Sequence, residues 1–549
     1  MTNPGVHVDQ PVAQGQGQFA RQSTGLVRDV STTSALFMNW LSGFPPFALG
    51  VAIFFILSAF PGANLYGTYL IAALIGIPIL FTIGLLGTVI PRSGGDWVIV
   101  TRTFGPYVGI VSSFCAVAAF VLATAYLAFI FTSAALAPSL AALGLVTDTE
   151  RFTTWATTIS TDTDWQFAIA MIVIALMALL HMAGLRTALG VLRWGAIFAL
   201  VGLVLTGIIA LIRSGGSFVS VFNEFSQPVT GEANTYNSII QSAEAADVDP
   251  SPPFDLTTTW IASGIVLGQV IYNYLALYVA GEVRKANSFR LPAVMVGSLV
   301  GTLVLLALFT LIFLESWGSE FLTAVNGING TEDYPFAAPP FYVFFAAISA
   351  ESAILSWIVA LSFIVVIPLL ILVIFFLPTR IIFSWAFDGL IPFKVSEVTS
   401  GRRVPYLALG ITFVLFAAGA AWAVYDSGGF LTVLAYTVVF QLTSMFLLCL
   451  SAVVMPYKLP ELWRSATTAR SVGGVPLLSI SGVLGMIAIL VVFFLFFRYP
   501  ELGITDRGEA VIVWLAVGAG AVLFFVIARA VRSMRGEPLA QAYSEIPPE

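Results

Sequence analysis

The residues best suited to chemistry are neutral polar groups that interrupt long apolar runs. In the first run, residues 42–46 read Ser-Gly-Phe-Pro-Pro. The two prolines lack backbone donors and follow a conformationally free glycine, so we expect a helix to break at residues 43–45. If Pro46 begins the next half-helix, the amides of Phe47 and Ala48 lie free at its positive end and suit an anion such as a carboxylate. A proline kink that binds no ligand is the alternative.

A second polar cluster lies in the sixth apolar run. Gln269 and Asn273 are four residues apart and share one helix face, with Tyr272 beside them. Because two amides and a phenol facing lipid would be costly, this face is expected to point into a helix bundle. Hydrogen bonding between helices, without a ligand, is the alternative explanation.

Two further apolar runs carry candidate binding residues. Thr437, Gln441 and Ser444 form a polar stripe at helical spacing, and Trp357 could form a wall of an apolar or aromatic pocket. Ordinary packing is the alternative role for this tryptophan. The collected side chains are neutral and aromatic, which favours a neutral or zwitterionic solute, because no buried Asp or Glu is available to pair with an extra positive charge.

The inventory of reactive groups argues against an enzyme. The chain has two His and two Cys, and both cysteines lie inside apolar runs, so neither a converging catalytic set nor a disulfide framework is indicated. No G-x-x-x-x-G-K segment is present, which argues against an ATP-driven pump. We predict no cofactor and no nucleic-acid partner.

Composition indicates that the elements positioning these residues are membrane helices. Hydrophobic residues make up 58% of the 549 residues and charged residues 9%, against about 25% charged in soluble domains. The apolar runs match the roughly 20 residues that a helix needs to cross a bilayer. The predicted spans are 32–59, 65–90, 106–136, 165–183, 194–212, 257–280, 291–314, 352–378, 404–425, 429–456, 475–497 and 510–528.

The basic residues predict how these twelve spans are oriented. Nineteen of the 23 Lys and Arg residues fall in the segments that share a side with the N-terminus, and the other four are Arg151, Arg213, Arg498 and Arg507. The positive-inside rule therefore predicts that both termini are cytoplasmic. The protein is expected to lie in the cytoplasmic membrane of the cell. Residues 1–31 are predicted to be a disordered tail, residues 213–256 an acidic extracellular loop, and residues 529–549 a cytoplasmic tail.

Three predicted inter-helix loops carry recognisable motifs. Residues 91–98 read Pro-Arg-Ser-Gly-Gly-Asp-Trp-Val and resemble the P-x-x-G-G-x-aromatic loop of permeases of the amino acid-polyamine-organocation (APC) superfamily. Residues 281–285, followed by Arg290 and Pro292, are similar to its acidic-basic signature, and residues 379–392 are similar to its Arg, Asp-Gly, Pro segment.

The resemblance implies an all-α membrane fold of two five-helix repeats with inverted topology, 32–212 and 257–456, plus two peripheral helices in 457–528. It further implies a mid-membrane site formed by interrupted first and sixth helices, with the sixth break around residues 268–274. The implied binding residues, together with the candidates above, are Asn39, Ser42, Gly43, Phe44, Phe47, Ala48, Gln269, Tyr272, Asn273, Trp357 and Gln441.

The implied activity is secondary active transport or exchange of neutral or zwitterionic amino acids across the bilayer by alternating access. A facilitator for another small organic solute, such as an amine or a nucleobase, and a non-transporting receptor or assembly subunit are the alternatives. The sequence leaves the coupling ion open. The position of a lysine that some proton-coupled relatives carry in the fifth helix is Ala199 here, whereas sodium could bind near Asn39 and Ser362. No charged residue falls in a predicted span, and Asp388 with Arg380 is expected to form an ion pair at the membrane face.

Overall fold

The computed structural model describes residues 31–283, 288–336, 338–399, 401–426 and 429–534. Most of the predicted N-terminal tail and of the C-terminal tail therefore lies outside the described residues. Within them, twelve helices are long and apolar enough to cross a membrane, which confirms the predicted all-α fold with twelve spans. The last helix continues to Met534, beyond the predicted end at residue 528.

The first half of the chain supplies spans one to five. The first span consists of α1 (Thr32–Ser42) and α2 (Pro45–Ala59), and the third of α5 (Pro106–Ile130), a π-helix (Phe131–Leu136) and α6 (Ala137–Val146). The other helices of this half are α3 (Leu65–Val89), α4 (Gly95–Phe104), α7 (Glu150–Thr161), α8 (Thr163–Met182) and α9 (Leu185–Ile212).

The segment predicted as an external loop is largely helical. It contains α10 (Gly216–Thr230) and α11 (Thr235–Ala245), which pack on two short helices that follow the seventh span, α14 (Ser319–Gly327) and α15 (Tyr342–Ser349). Aromatic rings fill the interface, and Tyr236 stacks on Phe321 with ring centroids 4.4 Å apart. The acidic residues of this segment leave one face polar, while the buried aromatic face fastens it to the bundle.

The second half supplies spans six to twelve. The sixth span consists of α12 (Leu256–Val270) and a 3₁₀ turn (Leu275–Leu277), and the eighth of α16 (Ala353–Ile364) and α17 (Val366–Phe387). The other helices are α13 (Arg290–Trp317), α18 (Tyr406–Tyr425), α19 (Phe430–Lys458), α20 (Pro460–Ser465), α21 (Leu477–Arg498) and α22 (Arg507–Met534). Short 3₁₀ turns occupy Ala280–Glu282, Phe393–Ser396 and Pro500–Leu502, and β1 (Ser471–Val472) pairs antiparallel with β2 (Val475–Pro476).

Burial separates a central set of helices from a peripheral one. In the most apolar window of the sixth span, 89% of residues are buried, against 17% in the last span. The sixth span therefore lies in the middle of the bundle, whereas α22 presents most of its surface to the surroundings.

The prediction that no charge lies within a span is wrong. Arg193 lies within the fifth span, charged residues lie near the ends of the seventh, tenth, eleventh and twelfth spans, and the eighth contains a buried arginine. The helix α17 does not stop at Pro378 but continues to Phe387, so Arg380 lies within it and is buried. A proline removes one backbone donor yet is tolerated in a buried membrane helix, because neighbouring groups can satisfy the freed carbonyl.

Candidate functional site

The first span is interrupted where the proline pair predicts. The helix α1 ends at Ser42, Gly43 and Phe44 are not helical, and α2 begins at Pro45. The second half-helix therefore starts one residue earlier than predicted, at Pro45 instead of Pro46.

The predicted free amides at this break are not free. The N–H groups of Phe47 and Ala48 both donate to the carbonyl oxygen of Phe44, at 3.1 Å each. The first three positions of a helix normally carry unsatisfied donors, but prolines occupy two of them here and Phe47 uses its donor in a short i→i−3 bond. These two amides therefore do not offer an anion site in this state, and that prediction was wrong.

The sixth span is interrupted directly opposite. The helix α12 ends at Val270, residues 271–274 form turns, and a short 3₁₀ segment follows. Asn39 on α1 accepts a hydrogen bond from the backbone N–H of Ala276 at 2.7 Å. A methyl group on Gly43 would lie 2.7 Å from Oδ1 of Asn273, so the two interrupted segments are in direct contact and a larger residue at position 43 would displace the Asn273 amide.

A cavity lies against both interruptions. Its volume is about 40 Å³, room for a few water molecules and well below the roughly 300–1,000 Å³ of small-molecule sites. A solute therefore fits only if the surrounding helices move apart. Six of the predicted binding residues line it: Gly43, Phe44, Phe47, Ala48, Gln269 and Tyr272. The third, eighth and tenth spans complete the wall with Ala123, Tyr126, Leu127, Leu370, Ile374, Leu434 and Thr437, and Gly268 and Leu275 also contribute.

The cavity is closed and uncharged. None of its lining side chains is more than 8% exposed, and no Asp, Glu, Lys or Arg is among them. Its main polar feature joins the third and sixth spans, where Nε2 of Gln269 donates to the hydroxyl of Tyr126 at 3.0 Å. The ring of Phe47 meets Tyr126 edge-on, with centroids 6.2 Å apart. The walls are otherwise aliphatic.

The remaining predicted binding residues lie outside the cavity lining. Asn39 links the two interruptions through its bond to Ala276, and Asn273 packs against Gly43. Gln441 is fully buried one turn beyond Thr437 on α19. Trp357 is exposed at 36% and meets Phe152 edge-on at 5.7 Å, so its predicted place in a pocket wall was wrong. Of Ser42 only the backbone is described. Ser362 packs against Gly202 and donates to the carbonyl of Val359.

Sequence reasoning missed Tyr126. Three other polar residues of the third span, Ser112, Ser113 and Cys115, lie nearer its other end. A phenol inside an otherwise apolar stretch was the available signal, because a buried tyrosine usually finds a hydrogen-bond partner.

A buried ion pair lies at the predicted cytoplasmic end of the bundle. Nη1 and Nη2 of Arg102 on α4 donate to Oδ2 and Oδ1 of Asp388 at 2.8 and 3.0 Å. The indole N–H of Trp97 donates to the same carboxylate at 2.8 Å. The sequence predicted that Asp388 pairs with Arg380. The ion pair between Arg102 and Asp388 instead joins α4, the helix in the loop after the second span, to the end of the eighth span.

Comparison with known sequences gives one informative result. The family described as Amino acid permease matches residues 29–526. This range includes all three loop motifs and all twelve spans, apart from the last residues of the twelfth span. No curated protein matches the chain. Since the match covers most of the 549 residues, the chain belongs to the amino acid permease family of the APC superfamily and is a multi-pass membrane transporter of amino acids or related organic solutes, not an enzyme.

Proposed function

We propose that the protein is a secondary active transporter or exchanger of neutral amino acids with apolar side chains, and that the central cavity is its substrate site. The observation that carries this proposal is the closed, uncharged cavity at the contact of two interrupted helices. Interrupted helices at mid-membrane leave backbone groups and polar side chains available for a ligand in many secondary transporters.

The lining supports a particular orientation of the substrate. Gln269 and Tyr126 supply hydrogen-bonding groups at one side, whereas Leu127, Leu370 and Ile374 supply an aliphatic surface for a side chain. A basic or acidic side chain would be buried without a partner among these residues, at a cost of several kcal/mol. We therefore propose selectivity for neutral over charged amino acids.

The burial of the lining supports alternating access. Because every lining residue is nearly inaccessible, a substrate can enter only if helices at one end of the bundle move apart. We propose that the two five-helix segments 32–212 and 257–456 are inverted repeats that rock about the cavity. We also propose that the basic end of the bundle faces the cytoplasm, as the distribution of Lys and Arg predicts.

A second candidate is favoured by the engaged amides of Phe47 and Ala48. Without these two donors, a carboxylate has fewer partners, and a neutral solute such as a nucleobase would need only the amide of Gln269 and the phenol of Tyr126. The two candidates differ in substrate and share the cavity.

The test is counterflow into proteoliposomes preloaded with unlabelled solute, using labelled leucine, phenylalanine, lysine, glutamate and uracil. We expect leucine or phenylalanine to be taken up and lysine and glutamate to be excluded. Gln269→Ala should reduce uptake at least tenfold, because it removes a hydrogen bond worth about 1.5 kcal/mol or more to a polar ligand. Trp357→Phe, on the outer face, is the matched control and should retain wild-type uptake. Uptake of uracil alone would favour the second candidate, and wild-type kinetics in Gln269→Ala would remove the cavity from the transport path.

A further inference from the structure

One buried carboxylate lies outside the cavity and has no role in the proposed binding of substrate. Asp96 is the second residue of α4, in the loop between the second and third spans, and its exposure is 0%. The third span, the tenth span and the segment after the sixth-span break surround it. An ionised carboxylate in such a place is costly unless it is paired with a cation.

The immediate partners of Asp96 are neutral. Its Oδ2 accepts hydrogen bonds from the hydroxyls of Ser112 at 2.9 Å and Ser444 at 3.2 Å. Its Oδ1 has no hydrogen-bond partner in the described part of the chain, although the hydroxyl of Tyr278 lies beside the carboxylate. Burial raises the pKa of Asp96 from its ordinary 3.8 to about 6, even though the two serine hydroxyls act to lower it.

The charged and titratable groups on the surrounding elements leave Asp96 without a counterion. The third span contributes Cys115, and the interrupted segment of the sixth span contributes Tyr274 and Tyr278. On α19, Cys449 lies beyond Ser444, and the charged residue Lys458 is exposed at the far end of the helix. Arg102 on α4 pairs with Asp388 at the end of α17. The helix α17 also carries Arg380, and no ion pair joins Asp96 to any of these cations among the residues that the structure describes.

The loop that carries Asp96 is hydrogen-bonded to the segment that follows the break in the sixth span. The N–H of Gly94 donates to the carbonyl of Tyr278 at 3.2 Å, and Ser93 forms an antiparallel bridge with Val279. Gly95 has a positive φ of 54°, and a methyl group there would lie 2.3 Å from the ring of Tyr278. Any opening at this end of the bundle must therefore disturb the surroundings of Asp96.

A polar stripe leads from the cavity toward Asp96. Thr437 lines the cavity, Gln441 follows one turn later, and Ser444 bonds Asp96. Gln441 is fully buried, and neither its amide nitrogen nor its amide oxygen has a hydrogen-bond partner among the described residues. A buried side-chain amide rarely lacks hydrogen-bond partners. The stretch from Thr437 to Ser444 is therefore suited to the passage or binding of a polar species.

We propose that Asp96 is a proton-binding site that couples transport to the proton gradient. With the bundle closed, burial favours the protonated carboxyl, so a proton from the acidic side that reaches Asp96 along Thr437, Gln441 and Ser444 binds there. When this end opens, water reaches the carboxylate and the proton leaves, because hydration removes the penalty on the ionised form. One proton thus binds and is released in each cycle, and the opened state is favoured by the ionised form.

The first experiment rests on the proposed function and measures accumulation and exchange separately. Proteoliposomes at internal pH 7.5 are diluted into pH 5.5 or pH 7.5 buffer with labelled leucine, and counterflow is measured without a gradient. We expect the acid exterior to raise wild-type accumulation severalfold. Asp96→Asn should keep counterflow but give an accumulation ratio near one, whereas Glu461→Gln, an exposed acid, should respond as wild type does. Accumulation by Asp96→Asn that still responds to the pH gradient would overturn the proposal. The proposal would also be overturned if wild-type accumulation responded to sodium and not to pH, and if Asp96→Asn removed that sodium response.

The second experiment needs no substrate, so it survives failure of the proposed function. In the purified protein, the native state holds the Asp96 proton up to about pH 6, whereas the unfolded chain releases it near pH 4. The stability of the wild type relative to Asp96→Asn should therefore fall as pH rises from about 4 to 6 and be constant above about pH 7. Ser112→Ala removes a donor to the ionised form and should move the upper midpoint to higher pH by about one unit. Parallel Tm profiles of wild type and Asp96→Asn across this range would overturn the proposal.

Discussion

The buried ion pair between Arg102 and Asp388 gives the sharpest prediction about stability. Asp388→Asn keeps the shape of the side chain but leaves the guanidinium of Arg102 buried beside a neutral amide. The two side chains are 2% and 1% exposed, so solvent screens the pair little. Removing one partner of such a pair typically lowers the free energy of unfolding by about 3–5 kcal/mol.

The chain supplies a matched control at its surface. Arg213 pairs with Glu351, and these side chains are 37% and 33% exposed. Exposed pairs contribute about 0–1 kcal/mol, so Glu351→Gln should be close to neutral. The same change of a carboxylate to an amide should thus differ severalfold in effect between the two sites.

The assay is equilibrium unfolding in mixed micelles of a mild detergent and dodecyl sulfate, followed by tryptophan fluorescence. Arg102→Met with Asp388→Leu removes both charges at once and should lose less stability than Asp388→Asn alone, because no uncompensated charge remains. The reasoning would be refuted if Asp388→Asn cost no more than Glu351→Gln, or if the double variant lost the sum of the single effects.

Three further outcomes follow from two closely packed glycines and from the sodium hypothesis. Gly95→Ala places a methyl group 2.3 Å from the ring of Tyr278 and should lower the Tm and transport together. Gly105→Ala, at φ 94° and ψ 172° but in open space, should cost only its backbone strain, about 1–3 kcal/mol. Gly202→Ala would meet Oγ of Ser362 at 1.9 Å, and Ser362→Gly should restore the lost stability in the double variant, measured as Tm. Because proton coupling is proposed here, replacing sodium by choline should leave transport by wild type and by Ser362→Ala unchanged, and a sodium requirement lost in Ser362→Ala would instead support the site near Asn39 and Ser362.

The interruption of the first span shows how far a sequence pattern reaches. The proline pair was sufficient to predict a break, because no neighbouring residue can restore the missing donors. The exact start of the second half-helix then determined which backbone amides remained unsatisfied donors. Had Pro46 been its first residue, Phe47 and Ala48 would both have been unsatisfied donors, but with Pro45 first, Ala48 reaches the carbonyl of Phe44. A shift of one residue thus removed the predicted anion site.

Other differences arise from tertiary packing. Gln269 and Tyr272 face the cavity as polarity predicts, because lipid excludes them. Trp357 faces outward, since an aromatic ring is tolerated on either side of a membrane helix and its sequence position does not fix the helix rotation. In the sequence, Asp96 is only one residue of a loop motif. Its burial depends on contacts with Ser112, Ser444 and Tyr278, which belong to distant parts of the chain.

Binding of the transported solute in the cavity between the two interrupted helices is tested most directly by leucine or phenylalanine counterflow. The proteoliposomes contain wild type, Gln269→Ala or Trp357→Phe. We expect uptake by wild type and by Trp357→Phe, with at least a tenfold loss in Gln269→Ala at equal protein incorporation. Equal uptake by wild type and Gln269→Ala, or uptake lost only in Trp357→Phe, would contradict binding of the solute in this cavity.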